Sequence, residues 1–149
     1  MYTPKYFTLD ELTRSTTATR KGIRNNPGIS EIQNIYALIQ NTLDPLRELW
    51  GGPVTVTSGY RSRALNTAVG GAQNSSHMRG EAADITVGGK DRNWELYQKI
   101  KASVIPFTKL IFETNKSGAY WLHISFVRQT PTLRKCYIYQ LNTKTYKPD

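Results

Sequence analysis

A single aspartate in an apolar run sets the tightest limit on how this chain can fold. Ala82-Ala83-Asp84-Ile85-Thr86-Val87 has the β-prone, apolar character of a strand buried on both faces. A lone carboxylate there is costly unless the fold brings it a partner charge, hydrogen-bond donors or a metal ion. The chain has only two histidines, His77 and His123. His77 lies seven residues before Asp84 in a loop of small and polar residues, Asn74-Ser75-Ser76-His77-Met78-Arg79-Gly80, and Gly80 gives the backbone a place to turn so that the two side chains can converge. His123 lies in Tyr120-Trp121-Leu122-His123-Ile124-Ser125-Phe126. Alternation there puts Trp121, His123 and Ser125 on one face and Leu122, Ile124 and Phe126 on the core face.

Two imidazoles and one carboxylate, with a fourth position left for water, form the donor set of a hydrolytic zinc site. The same set also serves non-haem iron. The residues alone leave open that the three never meet.

With 149 residues, of which 38% are hydrophobic, the chain fits one domain, residues 1–149, around one core. Thr8-Leu9-Asp10-Glu11 reads as a capping box opening a short helix. Arg14 to Gly28 reads as a loop, and Ser30 as the cap of a longer helix whose apolar stripe runs Ile32, Ile35, Leu38, Ile39, Leu43, Leu46 and Trp50. Pro45 should kink or divide that helix, and Gly51-Gly52-Pro53 should end it. Further expectations are a strand over Val54–Thr57, a short helix over Arg63–Val69 and a helix over Asp91–Ser103. A hairpin pairs Leu110–Glu113 with Tyr120–Val127 about Lys116-Ser117, and a last strand runs from Lys135 to Leu141. Trp50 and Trp94 are assigned to the core. Helices come first and antiparallel strands follow, so the fold class is α+β, with N-terminal helices packed on a small antiparallel sheet.

Cys136, the one cysteine, excludes an internal disulfide framework and reads as a strand residue. No stretch approaches the ~20 apolar residues of a membrane helix. The N-terminus lacks the apolar centre of a signal peptide, so the expectation is a soluble monomer without one, delivered to any external substrate by release or lysis. A net charge of +9 favours polyanionic partners. The basic residues are scattered and lack an aromatic-basic motif of nucleic-acid binders, so anionic cell-wall polymer is the expected partner and nucleic acid is not.

Several segments together resemble the M15 peptidase family: Ser58-Gly59-Tyr60-Arg61-Ser62, Leu65-Asn66, Val69-Gly70-Gly71, Ser76-His77-Met78-Arg79-Gly80, Ala82-Ala83-Asp84-Ile85 and Trp121-Leu122-His123-Ile124-Ser125. Its members are zinc D-Ala-D-Ala carboxypeptidases and peptidoglycan endopeptidases, many of them phage endolysins, with a hedgehog-like fold. The resemblance runs from about Tyr6 to Phe126. It implies one zinc per chain on His77, Asp84 and His123, and hydrolysis of a peptide bond in the stem peptide of peptidoglycan. It also implies that Arg61 faces the metal, stabilising an oxyanion or gripping a substrate carboxylate, with Ser76 and Tyr60 as candidates for substrate hydrogen bonds.

Several relatives carry an acid three residues before the last histidine ligand, where this chain has Tyr120, which cannot act as a base near neutral pH. The hairpin expectation sets Glu113 opposite Tyr120, one pleat from His123, and makes Glu113 the general base. A non-catalytic zinc-binding module of the same fold, recognising wall or a protein, is the alternative.

Overall fold

The computed structural model describes residues 2–149. Thr8 and Glu11 close the expected capping box, and helix α1 (Leu9–Thr13) follows it. The segment expected to be a loop instead contains helix α2 (Thr16–Lys21). The Ser15 hydroxyl caps it by accepting the Ala18 N–H, and only Ala18 is buried. A helix with one buried residue has no apolar stripe, so periodicity is silent about it.

Helix α3 (Ile29–Leu38) starts one residue before Ser30, because Glu31 folds back to accept the Gly28 N–H. The helix then widens into a π turn (Ile39–Leu43) and continues as α4 (Asp44–Trp50). In the wide turn the Asp44 N–H donates to the Ile39 carbonyl, five residues back, so Pro45 enters at the start of a new helical stretch. Proline therefore divides the helix without ending it. Ile35, Leu38, Ile39, Leu43 and Leu46 are all buried. Asp44, also buried, accepts hydrogen bonds from Tyr2, the Lys5 N–H and the Tyr6 N–H, and so ties the N-terminal segment to this helix.

The remaining elements are β1 (Thr55–Ser58), α5 (Arg63–Ala68), a 3₁₀ turn (Ser76–Arg79), β2 (Ala82–Thr86), α6 (Lys90–Ala102), β3 (Lys109–Thr114), β4 (Tyr120–Ser125), β5 (Lys135–Gln140) and β6 (Thr145–Pro148). The strands form one sheet in the order β1-β2-β4-β3-β5-β6. The class is α+β, as expected, but the sheet is mixed: β3 and β5 run parallel, and all other neighbours are antiparallel. β5 is also not the last strand, since β6 pairs with it.

Leu110, Phe112, Leu122 and Ile124 on one face of the sheet join Leu96, Tyr97 and Ile100 of α6 and the α3–α4 stripe in a single core. Trp50 packs half-buried against that core. Trp94 departs from its assignment: it is 38% exposed and covers the buried Tyr97 and Phe112 from the solvent side. Arg134 fastens the chain that leads into β5. Its guanidinium donates to the carbonyls of Ile100, Lys101, Ser103 and Ile105, at and just beyond the end of α6. No helix among the described residues is long and apolar enough to cross a membrane.

The hairpin register differs by one residue from the expected one. Glu113 pairs with Trp121, and Thr114 with Tyr120. The loop holds five residues, with the Asn115 side chain accepting the Ser117 and Ala119 N–H groups and Gly118 at φ +84°, so the turn centres on Ser117. This one-residue difference moves Glu113 onto the face that carries Trp121 and His123.

Gly59 packs the N-terminal helix against β1. A methyl group on it would lie 2.3 Å from the Leu12 carbonyl oxygen, which accepts the Tyr60 N–H. Backbone cannot retreat as a flexible side chain can. Gly59→Ala is therefore expected to lower stability by about 1–3 kcal/mol, the usual cost of overpacking, read as a lower urea midpoint. An unchanged midpoint would show that this contact yields freely.

Candidate metal centre and its cleft

One cross-strand row builds the floor of the site. Ser58 on β1 pairs with Asp84 on β2, Asp84 with His123 on β4, His123 with Ile111 on β3, and Ile111 with Tyr137 on β5. Register partners share a face, so these side chains stand side by side opposite the core. His77 arrives from the 3₁₀ turn, in which the Ser75 hydroxyl accepts the His77 N–H and which ends at Gly80 with φ +73°. A side chain at Gly80 would be strained by that conformation.

The Asp84 carboxylate oxygen Oδ1 lies 3.4 Å from His77 Nε2 and 3.3 Å from His123 Nδ1. One ligand atom from each of the three residues falls within 4.8 Å of the others. His77 Nδ1–H donates to the Gly59 carbonyl at 2.8 Å, which orients the ring and turns Nε2 toward the other two. The two imidazole rings meet edge to face at 5.2 Å. Three convergent donors, two nitrogen and one oxygen, with an outer hydrogen bond already orienting one imidazole, fit a zinc ion.

His77 and Asp84 are buried, and His123 is nearly so. Burial pushes the Asp84 carboxyl up, but the two histidines outweigh it and hold the group well below the usual carboxylate range. Arg61 adds its own charge. Its Nη2 lies 3.5 Å from Asp84 Oδ2, while Nε donates to the Ser58 hydroxyl and Nη1 to the Asn66 side-chain oxygen.

The three residues open onto a cleft of ≈ 590 Å³ whose walls include Arg61, Ser76, Glu113, Trp121, Tyr137 and Tyr146. Glu113 sits on the same pleated face as His123. Burial raises its carboxyl above the ordinary glutamate value, with the Asp84 charge acting in the same direction. The Tyr146 hydroxyl opposes that shift by donating to Glu113 Oε1 at 3.2 Å. The Trp121 indole N–H, also in the cleft wall, is buried and has no hydrogen-bond partner among the described residues.

His77, Asp84, His123, Arg61, Glu113 and Ser76 thus come to one cleft. Tyr60 does not. Its side chain is buried in the hydrophobic core, with burial raising its phenol pKa, and it is absent from the cleft wall. Tyr120 is also elsewhere: it has the opposite strand parity and packs against Phe112 with Lys90 over its ring. Residues that sequence reasoning misses are Ser58 and Asn66, which hold Arg61, and Lys109, Tyr137 and Tyr146, which line the cleft. Asn66 lies inside one of the family-like segments and so carries a signal; Tyr146 lies in a polar tail that carries none.

A family model described as Peptidase M15 matches residues 5–125 of the chain. The zinc D-Ala-D-Ala carboxypeptidase of Streptomyces albus G is 47% identical over 49 residues, which cover 32% of this chain and 19% of that protein. The family match takes in β1 to β4 and every residue of the metal centre, and stops before β5. The chain belongs to the peptidase M15 family.

Proposed function

We propose that the protein is a zinc-dependent peptidase acting on the stem peptide of peptidoglycan, as a carboxypeptidase or an endopeptidase. The observation that carries this reading is the convergence of His77, Asp84 and His123 at the base of a cleft that also holds Glu113. The zinc named in the Streptomyces albus G relative supports the choice of metal, and its D-Ala-D-Ala substrate supports a wall peptide.

Held by the three side chains, zinc would supply a Lewis acid for the scissile carbonyl and acidify water for attack. Glu113 takes the proton from the attacking water and passes it to the leaving nitrogen. Burial favours the first step, since it makes the Glu113 carboxylate a stronger base toward the attacking water. Arg61 is fixed by Ser58, Asn66 and Asp84 and needs no reorganisation to stabilise charge developing on the carbonyl oxygen. Ser76, on the cleft wall, is available to hydrogen-bond the peptide. The excess of positive charge, +9 overall, draws the protein to anionic wall polymer.

The purified protein is expected to carry about one zinc per chain by metal analysis. His77→Ala and His123→Ala should each lose it, and wild type that takes up no metal on addition would remove the basis of this function.

Glu113→Gln should keep fold and zinc while losing about 10²–10⁴-fold in hydrolysis of purified wall peptide, whereas Tyr120→Phe should lose little. Near-wild-type cleavage by Glu113→Gln would reassign the base. A wild type that binds zinc and wall peptide yet cleaves nothing would establish the non-catalytic module instead.

Binding to purified walls should weaken steeply between low and physiological salt, as screening shortens the reach of the surface charge. Co-sedimentation across a salt series reads this, and salt-independent binding would exclude an electrostatic origin.

A further inference from the structure

Three cations line the cleft, and two are already engaged. Arg61 is bound to Ser58, Asn66 and Asp84, and Arg79 to Glu81 and Asn74. Lys109 is different. Among the described residues it takes part in no salt bridge, and its ammonium group lies 6.0 Å from the centre of the Tyr137 ring. Its neighbour in the parallel β3–β5 register is Lys135, which also has no acidic partner among the described residues. Like charges side by side on adjacent strands repel, and an anion between or above them removes that cost.

The pair sits on the face of the sheet that carries the metal centre. Lys109 is two residues before Ile111, the register partner of His123, so its backbone lies about 7 Å along the strand from the level of His123 and about 4.8 Å, one strand spacing, to its side. An extended peptide crossing the cleft covers that distance in about two residues.

We propose that Lys109, with Lys135 beside it and Tyr137 forming the adjoining wall, is the carboxylate-recognising end of the cleft. It selects peptides that carry a free carboxylate within about two residues of the scissile bond. A carboxylate is the ligand because the site offers an ammonium group that has no acidic partner among the described residues and lies over an aromatic ring, while the guanidinium groups already bind protein oxygens. The proposal rests on the peptidase reading and sharpens it: Arg61 serves the reacting carbonyl, and Lys109 reads the substrate.

The test uses a synthetic stem pentapeptide and the same peptide with all its carboxyl groups amidated. Binding is measured by calorimetry with zinc-supplied Glu113→Gln protein, and cleavage with zinc-supplied protein that keeps Glu113. The free acid should bind about tenfold more tightly than the amide, the scale of one charge-assisted hydrogen bond. Adding Lys109→Met should bring the ratio close to one, while Lys109→Arg should preserve most of it. A ratio that survives Lys109→Met overturns the proposal, as does a parent protein that shows no preference or binds neither peptide. If the preference and its loss are seen but the protein with Glu113 cleaves neither peptide, the carboxylate site stands and the peptidase reading falls. If that protein instead cleaves both peptides with equal efficiency, the peptidase reading stands and the carboxylate site falls.

Discussion

Asp84 is the charge around which the site is organised. It occupies the middle of an interior strand, with β1 on one side and β4 on the other. Leaving such a carboxylate without partners would cost several kcal/mol. The fold surrounds it with two imidazoles and a guanidinium, each delivered by a different element: a 3₁₀ turn, strand β4 and the loop after β1. The partners are themselves held, His77 by the Gly59 carbonyl and Arg61 by Ser58 and Asn66. Gly59 joins two tasks, since the close packing of Leu12 that forbids it a side chain also fixes the carbonyl that orients His77. The N-terminal helix is thereby coupled to the metal centre without touching it.

The placement of Glu113 shows how little separates a useful carboxylate from a misplaced one. One residue of register decides whether it lies with His123 or with the core residues Leu122 and Ile124. The five-residue loop settled by Asn115 decides that register, and the Tyr146 hydroxyl from β6 then holds the carboxylate.

The metal-centre segments are legible in the sequence because their residues are anomalous where they stand: an aspartate in an apolar run, and the only two histidines on polar-facing positions. The α3–α4 stripe is legible for the opposite reason, since its periodicity is regular, and Pro45 announces the break. Helix α2 is not legible, because a serine cap and one buried alanine leave no pattern. The hairpin register turns on side-chain hydrogen bonds within a loop, which alternation cannot see. Tyr60 misleads because it adjoins Arg61 in sequence while pointing into the core. The parallel partner of β3 is hidden altogether, since β5 reaches it through a non-local connection held by Arg134 and Thr108.

Every strand that contributes to the metal centre or to Glu113 is paired on both sides: β2 by β1 and β4, β4 by β2 and β3, and β3 by β4 and β5. None offers the unpaired row of N–H and C=O groups by which many proteins hold a peptide as an added strand. A peptide in this cleft must lie across side chains, and its own backbone need not follow the alternation of a β-strand. Strand addition reads handedness, because only one enantiomer alternates its side chains correctly against a given edge. A floor built mainly from interior strands makes no such demand through backbone pairing, so any choice between L- and D-residues falls to the side chains that line the cleft.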